Sequence, residues 1–147
     1  MDAPLAGAGG RATIVCVPDP AAQRRLVGVV TVDDQPYFRQ AAHDVIDATP
    51  GFEAVGEACS AEEAMALLEE AEPELVLMDV RMPGVDGIEA TRRIKAEHPD
   101  VVVVLISIED PANAPSHAHD VGAAAFVRKQ DFKPSMLHEL WLAHGAD

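Results

Sequence analysis

The stretch "ELVLMDVRMPGVDGIEA", residues 74–90, decides the fold. An apolar run, Leu75 to Met78, ends on one carboxylate, Asp79. The chain then breaks at Met82-Pro83-Gly84, and an apolar pattern at helical spacing begins after Asp86-Gly87. A short continuous apolar run of this kind reads as a strand covered on both faces. Ending such a strand on a lone carboxylate costs free energy unless something nearby pairs with the charge. The rest of the chain is therefore expected to bring partners to Asp79.

Working outward, the same alternation recurs. "LVGVVTV" (26–32), "FEAVGEAC" (52–59), "VVVVLIS" (101–107) and "AAAFVRK" (123–129) read as further strands. Between them lie helical patterns. "YFRQAAHDVIDA" places Phe38, Ala41, Ala42 and Val45 at helical spacing. "SAEEAMALLEEA" carries a Ser60/Glu63 capping box and an apolar face of Ala61, Ala64, Met65 and Leu68. "DGIEATRRIKAEH" has Asp86 as N-cap and stops at Pro99. "PANAPSHAHDVG" is a proline-marked fourth helix ending at Gly122, and "PSMLHELWLAH" a last one capped by Gly145. Five strands alternating with five helices predict an open, doubly wound α/β sandwich with a parallel sheet and right-handed crossovers. Residues 1–25 stand apart. "MDAPLAGAGG" is Ala/Gly/Pro-rich, and "ATIVCVPDPAAQRRL" holds a short apolar run broken by Pro18 and Pro20. They are expected to form a flexible N-terminal extension, with the domain proper at 26–147.

Composition narrows the function classes. With 147 residues, 48% hydrophobic but only 4% aromatic, the chain predicts one domain with an aliphatic core. The net charge of −14 repels phosphate backbones, so no direct nucleic-acid binding by this chain is expected, whereas a divalent cation is attracted. Two cysteines, Cys16 and Cys59, make no disulfide framework and read as small core residues in a reduced, cytoplasmic protein. No apolar stretch reaches membrane-spanning length, and the N-terminus shows no signal peptide.

In a doubly wound sheet, ligands bind outside the C-terminal strand ends. Those ends carry Asp33-Asp34, Asp79, Ser107 and Lys129. Three carboxylates at one edge repel one another unless a cation sits among them. Carboxylate and carbonyl oxygens with waters suit Mg²⁺. A carboxylate can also act as a nucleophile on phosphorus, and phosphoryl transfer needs mainly positioning and neutralisation of the equatorial oxygens. Lys129 and the Ser107 hydroxyl supply such neutralisation alongside the cation. Each residue also has a structural reading: helix capping for Asp33 and Asp34, loop capping for Asp79, a common strand-end serine, a solvated edge lysine. Five such residues at four of the five strand ends favour the chemical reading.

These pieces, "VTVDD", "LVLMDVRMPGVDGIEA", "LIS" and "GAAAFVRK", resemble the receiver domain of bacterial two-component response regulators over residues 26–144. Asp34 lies 45 residues before Asp79, and Ser107 lies 22 before Lys129, as that family's pattern requires. The resemblance implies a flavodoxin-like five-stranded parallel sheet. It implies phosphorylation of Asp79 by a sensor histidine kinase, with Mg²⁺ held by Asp33, Asp34, Asp79 and the Arg81 backbone carbonyl. It makes Lys129 the conserved-type lysine, Ser107 the hydroxyl switch and Phe126 the aromatic switch. The output surface would be the fourth helix, fifth strand and last helix, serving a homodimer or an output partner, with Trp141 as a reporter if it borders that face. The protein would be a stand-alone receiver or the N-terminal half of a DNA-binding transcriptional regulator. It would be a signalling switch that catalyses only its own phosphorylation and dephosphorylation.

Departures and rivals bound this reading. Gln130 stands where many receivers have proline, and Pro111 and Pro115 mark the fourth helix. Asp19, in the strand-like "IVCVPDP", lies too far from Asp79 and offers one acid only. His117 and His119 form at most half a transition-metal site, with no further ligands at spacing. An aspartate-nucleophile, Mg²⁺-dependent phosphatase would be expected to carry an acid two residues after the nucleophile, where this chain has Arg81. A receiver-like scaffold that no longer takes phosphate is the other alternative.

Overall fold

The computed structural model describes residues 26–110, 112, 118 and 120–145. Five strands form one parallel sheet: β1 (Val27–Val32), β2 (Phe52–Ala58), β3 (Leu75–Asp79), β4 (Val102–Ser107) and β5 (Ala125–Arg128). Their order is β2-β1-β3-β4-β5, so β3 is central and winding reverses between β1 and β3. Four α-helices are described: α1 (Pro36–Asp47), α2 (Ala61–Ala71), α3 (Gly87–Glu97) and α4 (Pro134–His144). A 3₁₀ turn, Lys129–Asp131, links β5 to α4. The expected doubly wound sandwich is thus observed. The proline-marked fourth helix lies mostly outside the described residues, as do the N-terminal extension, Cys16, Asp19, His117 and His119.

Strand alternation sorts the core into two layers. On one face Val30, Val32, Val76, Met78, Val103 and Leu105 pack against α2 and α3 through Ala64, Leu68, Ile88 and Ile94. On the other, Val29, Leu75, Leu77, Val104 and Ile106 pack against α1 and α4 through Phe38, Ala42, Ile46 and Leu137. Burial of β3 along all five residues explains its unbroken apolar run.

The helix starts follow their expected chemistry, with one change. Asp86 caps α3, its carboxylate accepting the Glu89 N–H at 2.9 Å. Ser60 caps α2 by accepting the Glu63 N–H at 3.1 Å. The reciprocal bond of the box goes to Cys59 N–H rather than to Ser60, at 2.9 Å from Glu63 Oε1. That places Cys59 beyond the last paired residue of β2, and its thiol is exposed, 3.6 Å from Glu63 Oε2. Cys59 is therefore not a core residue. Gly145 ends α4 as expected, its N–H donating to the Trp141 carbonyl at 2.8 Å, but in extended rather than left-handed backbone.

Candidate functional site

β1 delivers Asp33-Asp34 to its C-terminal end, β3 delivers Asp79, β4 Ser107, and Lys129 follows β5. Because the strands are parallel and in register, all five arrive at one edge of the sheet. Oxygens of Asp33, Asp34 and Asp79 lie within 4.8 Å of one another. Asp33 is fully buried, Asp79 is 4% exposed, and Asp34 is half-buried.

Lys129 is the positive charge among them. Its Nζ lies 2.6 Å from Asp33 Oδ2 and 3.6 Å from Asp79 Oδ1. The ammonium also sits 4.7 Å above the Phe38 ring, an apolar floor that keeps it half-desolvated. Asp33 Oδ1 accepts the Gln35 N–H at 2.8 Å, so this acid also caps the turn into α1. Arg39 ties the same turn by donating to the Asp33 carbonyl at 2.7 Å. Sequence reasoning missed Arg39, because nothing in its spacing marks a contact six residues back to a strand end.

Asp79 is the strained member. Burial first, then the Asp33 charge, raise its carboxyl from 3.8 to about 6. The Lys129 ammonium and the Arg81 N–H, 3.4 Å from Oδ1, pull in the other direction, and Asp34 adds a smaller upward push. One lysine among three acids leaves excess negative charge. Asp33 Oδ2, fully buried and 2.6 Å from the ammonium, makes no aligned hydrogen bond and keeps acceptor capacity. An all-oxygen, clustered, over-charged donor set fits a hard divalent cation.

The loop after β3 is shaped by Gly87. A Cβ there would lie 1.9 Å from the Asp79 carbonyl oxygen, so the start of α3 touches the strand end as only glycine permits. Gly87 N–H donates to the Val80 carbonyl, and Thr91 Oγ1 donates to the Gly87 carbonyl at 2.7 Å. Asp79 is thereby fixed by a helix as well as by two neighbouring strands. Above it opens a cavity of about 650 Å³, lined by the acid site and by Tyr37, Phe38, Ile108 and Phe132. Ser107, 5% exposed, accepts the Glu109 N–H at 3.1 Å. Behind it a second cavity of about 540 Å³ reaches Phe126. Arg81 spans the mouth, its guanidinium paired with Glu109 at 2.6 Å. The sequence does not mark this pair, because its two residues lie 28 positions apart on different loops.

An open sheet with its winding reversal beside three clustered carboxylates and a lysine defines a flavodoxin-like α/β domain with an acidic cluster at the C-terminal strand edge. The chain belongs to the response regulator receiver domain family, whose pattern matches residues 29–141. It is 35% identical over 104 residues to the transcriptional regulatory protein DegU of Brevibacillus brevis, covering 71% of this chain and 44% of DegU. It is 36% identical over 104 residues to the response regulator GacA of Pseudomonas viridiflava, covering 71% of this chain and 49% of GacA. The chain thus spans about half the length of these curated relatives. The crystal structure of the response regulator domain of Thermotoga maritima CheB superposes with a TM-score of 0.73 at 29% identity, covering 84% of this chain and 99% of that one. Receiver domains are two-component signalling switches that use Mg²⁺ and that interact with histidine kinases and output domains. The family match supports the switch reading and neither the phosphatase nor the scaffold alternative. Among the described residues, no helix is long and apolar enough to cross a membrane.

Proposed function

We propose that Asp79 is the phosphoacceptor, that Asp33, Asp34, Asp79 and the Arg81 carbonyl hold Mg²⁺, and that Lys129 and Ser107 receive the phosphoryl oxygens. The observation that carries this reading is the cluster itself: three acids within 4.8 Å, two of them buried, with a single ammonium 2.6 and 3.6 Å from two of them. An Asp79 oxygen attacks phosphorus and forms an O–P bond. The N–P bond to the histidine of a kinase breaks, and the imidazole nitrogen keeps the electron pair and takes a proton. Bound Mg²⁺ neutralises charge on the transferring group. Lys129 moves no proton; it holds Asp33 in place and offers a fixed charge. The cavity above Asp79 leaves room for the donor.

The domain boundary is set at Leu26, with residues 1–25 as an extension. The switched surface is the segment after Ser107, β5 and α4, with Ser107 and Phe126 as the moving parts. Because the relatives are named as transcriptional and response regulators, the output is regulation of transcription, through a DNA-binding partner region or through a protein partner, in the cytoplasm. The test is phosphoramidate with Mg²⁺, read by intact mass. One added phosphoryl group that disappears in Asp79→Asn is the expected result. Labelling that persists in that variant overturns the assignment.

A further inference from the structure

Three hydrogen bonds link the acid site to Ser107 in a continuous chain. The Arg81 N–H donates to Asp79 Oδ1 at 3.4 Å. The Arg81 guanidinium holds Glu109 at 2.6 Å. The Glu109 N–H donates to Ser107 Oγ at 3.1 Å. Ser107 in turn lines the cavity over Asp79. Two residues, Arg81 and Ser107, line both that cavity and the one reaching Phe126, and Glu109 lines the second. The ion pair therefore bars the boundary between the two spaces, joining the loop after β3 to the loop after β4.

We propose that the Arg81–Glu109 pair is a brace that holds the resting arrangement and that a phosphoryl group on Asp79 breaks. This inference rests on the reading of Asp79 as the phosphoacceptor. A guanidinium prefers a phosphoryl dianion to a single carboxylate, because the charge is greater and three acceptor oxygens are offered instead of two. Arg81 already lines the cavity in which that dianion would form, and its own N–H touches the accepting carboxylate. When the guanidinium turns to the phosphoryl oxygens, Glu109 loses its anchor. The β4 loop carrying Ser107 is then free to close on the phosphoryl group, and the boundary toward Phe126 opens. Arg81 is here a positioning residue in the resting state and a phosphoryl ligand in the switched one. Both side chains are largely exposed, at 69% and 46%, so the brace is weak enough to break and its removal does not threaten the fold.

The test uses beryllofluoride with Mg²⁺, followed by fluorine NMR, on the full chain. Glu109→Gln removes the competitor for Arg81, so half-saturation should fall by about threefold, with roughly fivefold as the ceiling for an exposed pair. In an Arg81→Ala background the same substitution should change nothing. Raising NaCl to ~1 M should close the gap between wild type and Glu109→Gln, because salt screens an exposed pair. Equal half-saturation of wild type and Glu109→Gln at low salt overturns the brace. So does an equal gain from Glu109→Gln with and without Arg81, which would show a general charge effect. If wild type binds no beryllofluoride and takes no phosphoryl group, the phosphoacceptor reading itself falls, and the brace with it.

Discussion

At the residue scale, Asp79 is costly to the resting fold. Its carboxyl is held near 6 rather than 3.8, so between those values the native state binds more protons than the unfolded chain. Stability in the absence of metal therefore falls as pH rises from about 4 to 6, and stays low above that. The cost is on the order of 2–3 kcal/mol, set by burial and by Asp33. Asp79→Asn should raise metal-free stability at pH 7 by up to about 3 kcal/mol and have little effect near pH 3.5, as urea titrations at both values will show. A substitution that stabilises equally at both pH values would remove the electrostatic account. Lys129 has the opposite role. Removing it leaves Asp33 as a buried, unpaired charge, so Lys129→Met should destabilise by about 3 kcal/mol at pH 7. Adding Asp33→Asn should restore much of that loss, and a double variant no more stable than the single one would count against the pairing.

At the element scale, the decisive joint is where α3 meets β3. Gly87 allows the helix start to lie on the Asp79 carbonyl, where a Cβ would stand at 1.9 Å from backbone oxygen. Gly87→Ala must shift the helix or the strand end. It should cost roughly 1–3 kcal/mol and slow phosphoramidate labelling as Asp79 moves. Wild-type melting together with wild-type labelling would show that the joint tolerates the movement. The Met82-Pro83-Gly84 break, with Gly84 at φ +79°, was legible in the sequence as a loop. That the loop brings Gly87 back onto the strand it had just left was not, because a contact of this kind depends on how α3 packs on the sheet.

At the scale of the whole molecule, the site is a meeting of strand ends far apart in the chain, and the proposed Mg²⁺ would link its occupancy to stability. A ligand that binds the folded state alone stabilises by about 1.4 kcal/mol at ten times its dissociation constant. Mg²⁺ should therefore raise the melting temperature of wild type, and Asp34→Ala should require more Mg²⁺ for the same rise; an unchanged requirement points to Asp33 and Asp79 as the working pair. Switching should then appear along the segment after Ser107 through α4. Hydrogen exchange with and without beryllofluoride will show altered protection in β5 and its flanks, and a change confined to Asp79 would rule out this route. Trp141 is a poor reporter of it. The indole packs edge-to-face on Phe52 at 6.4 Å in the α1/α4 core, whereas Phe126 packs with the α2/α3 core on the other side of the sheet.

The run Leu75–Asp79, its counterparts at the other strand ends and the helical spacings between them were enough, read in order, to determine the alternation, the parallel sheet and the five residues at its edge. Strand patterns carry that information because side-chain alternation and the position of a strand's last residue are local properties. Tertiary structure alone decided how those residues share their charges. Lys129 stands on Asp33 rather than primarily on Asp79, Cys59 faces solvent, and Arg81 reaches across to Glu109, 28 residues away. Charges interact through space, and the spacing between two strand ends is set by the sheet order and helix packing, which no single stretch of sequence encodes.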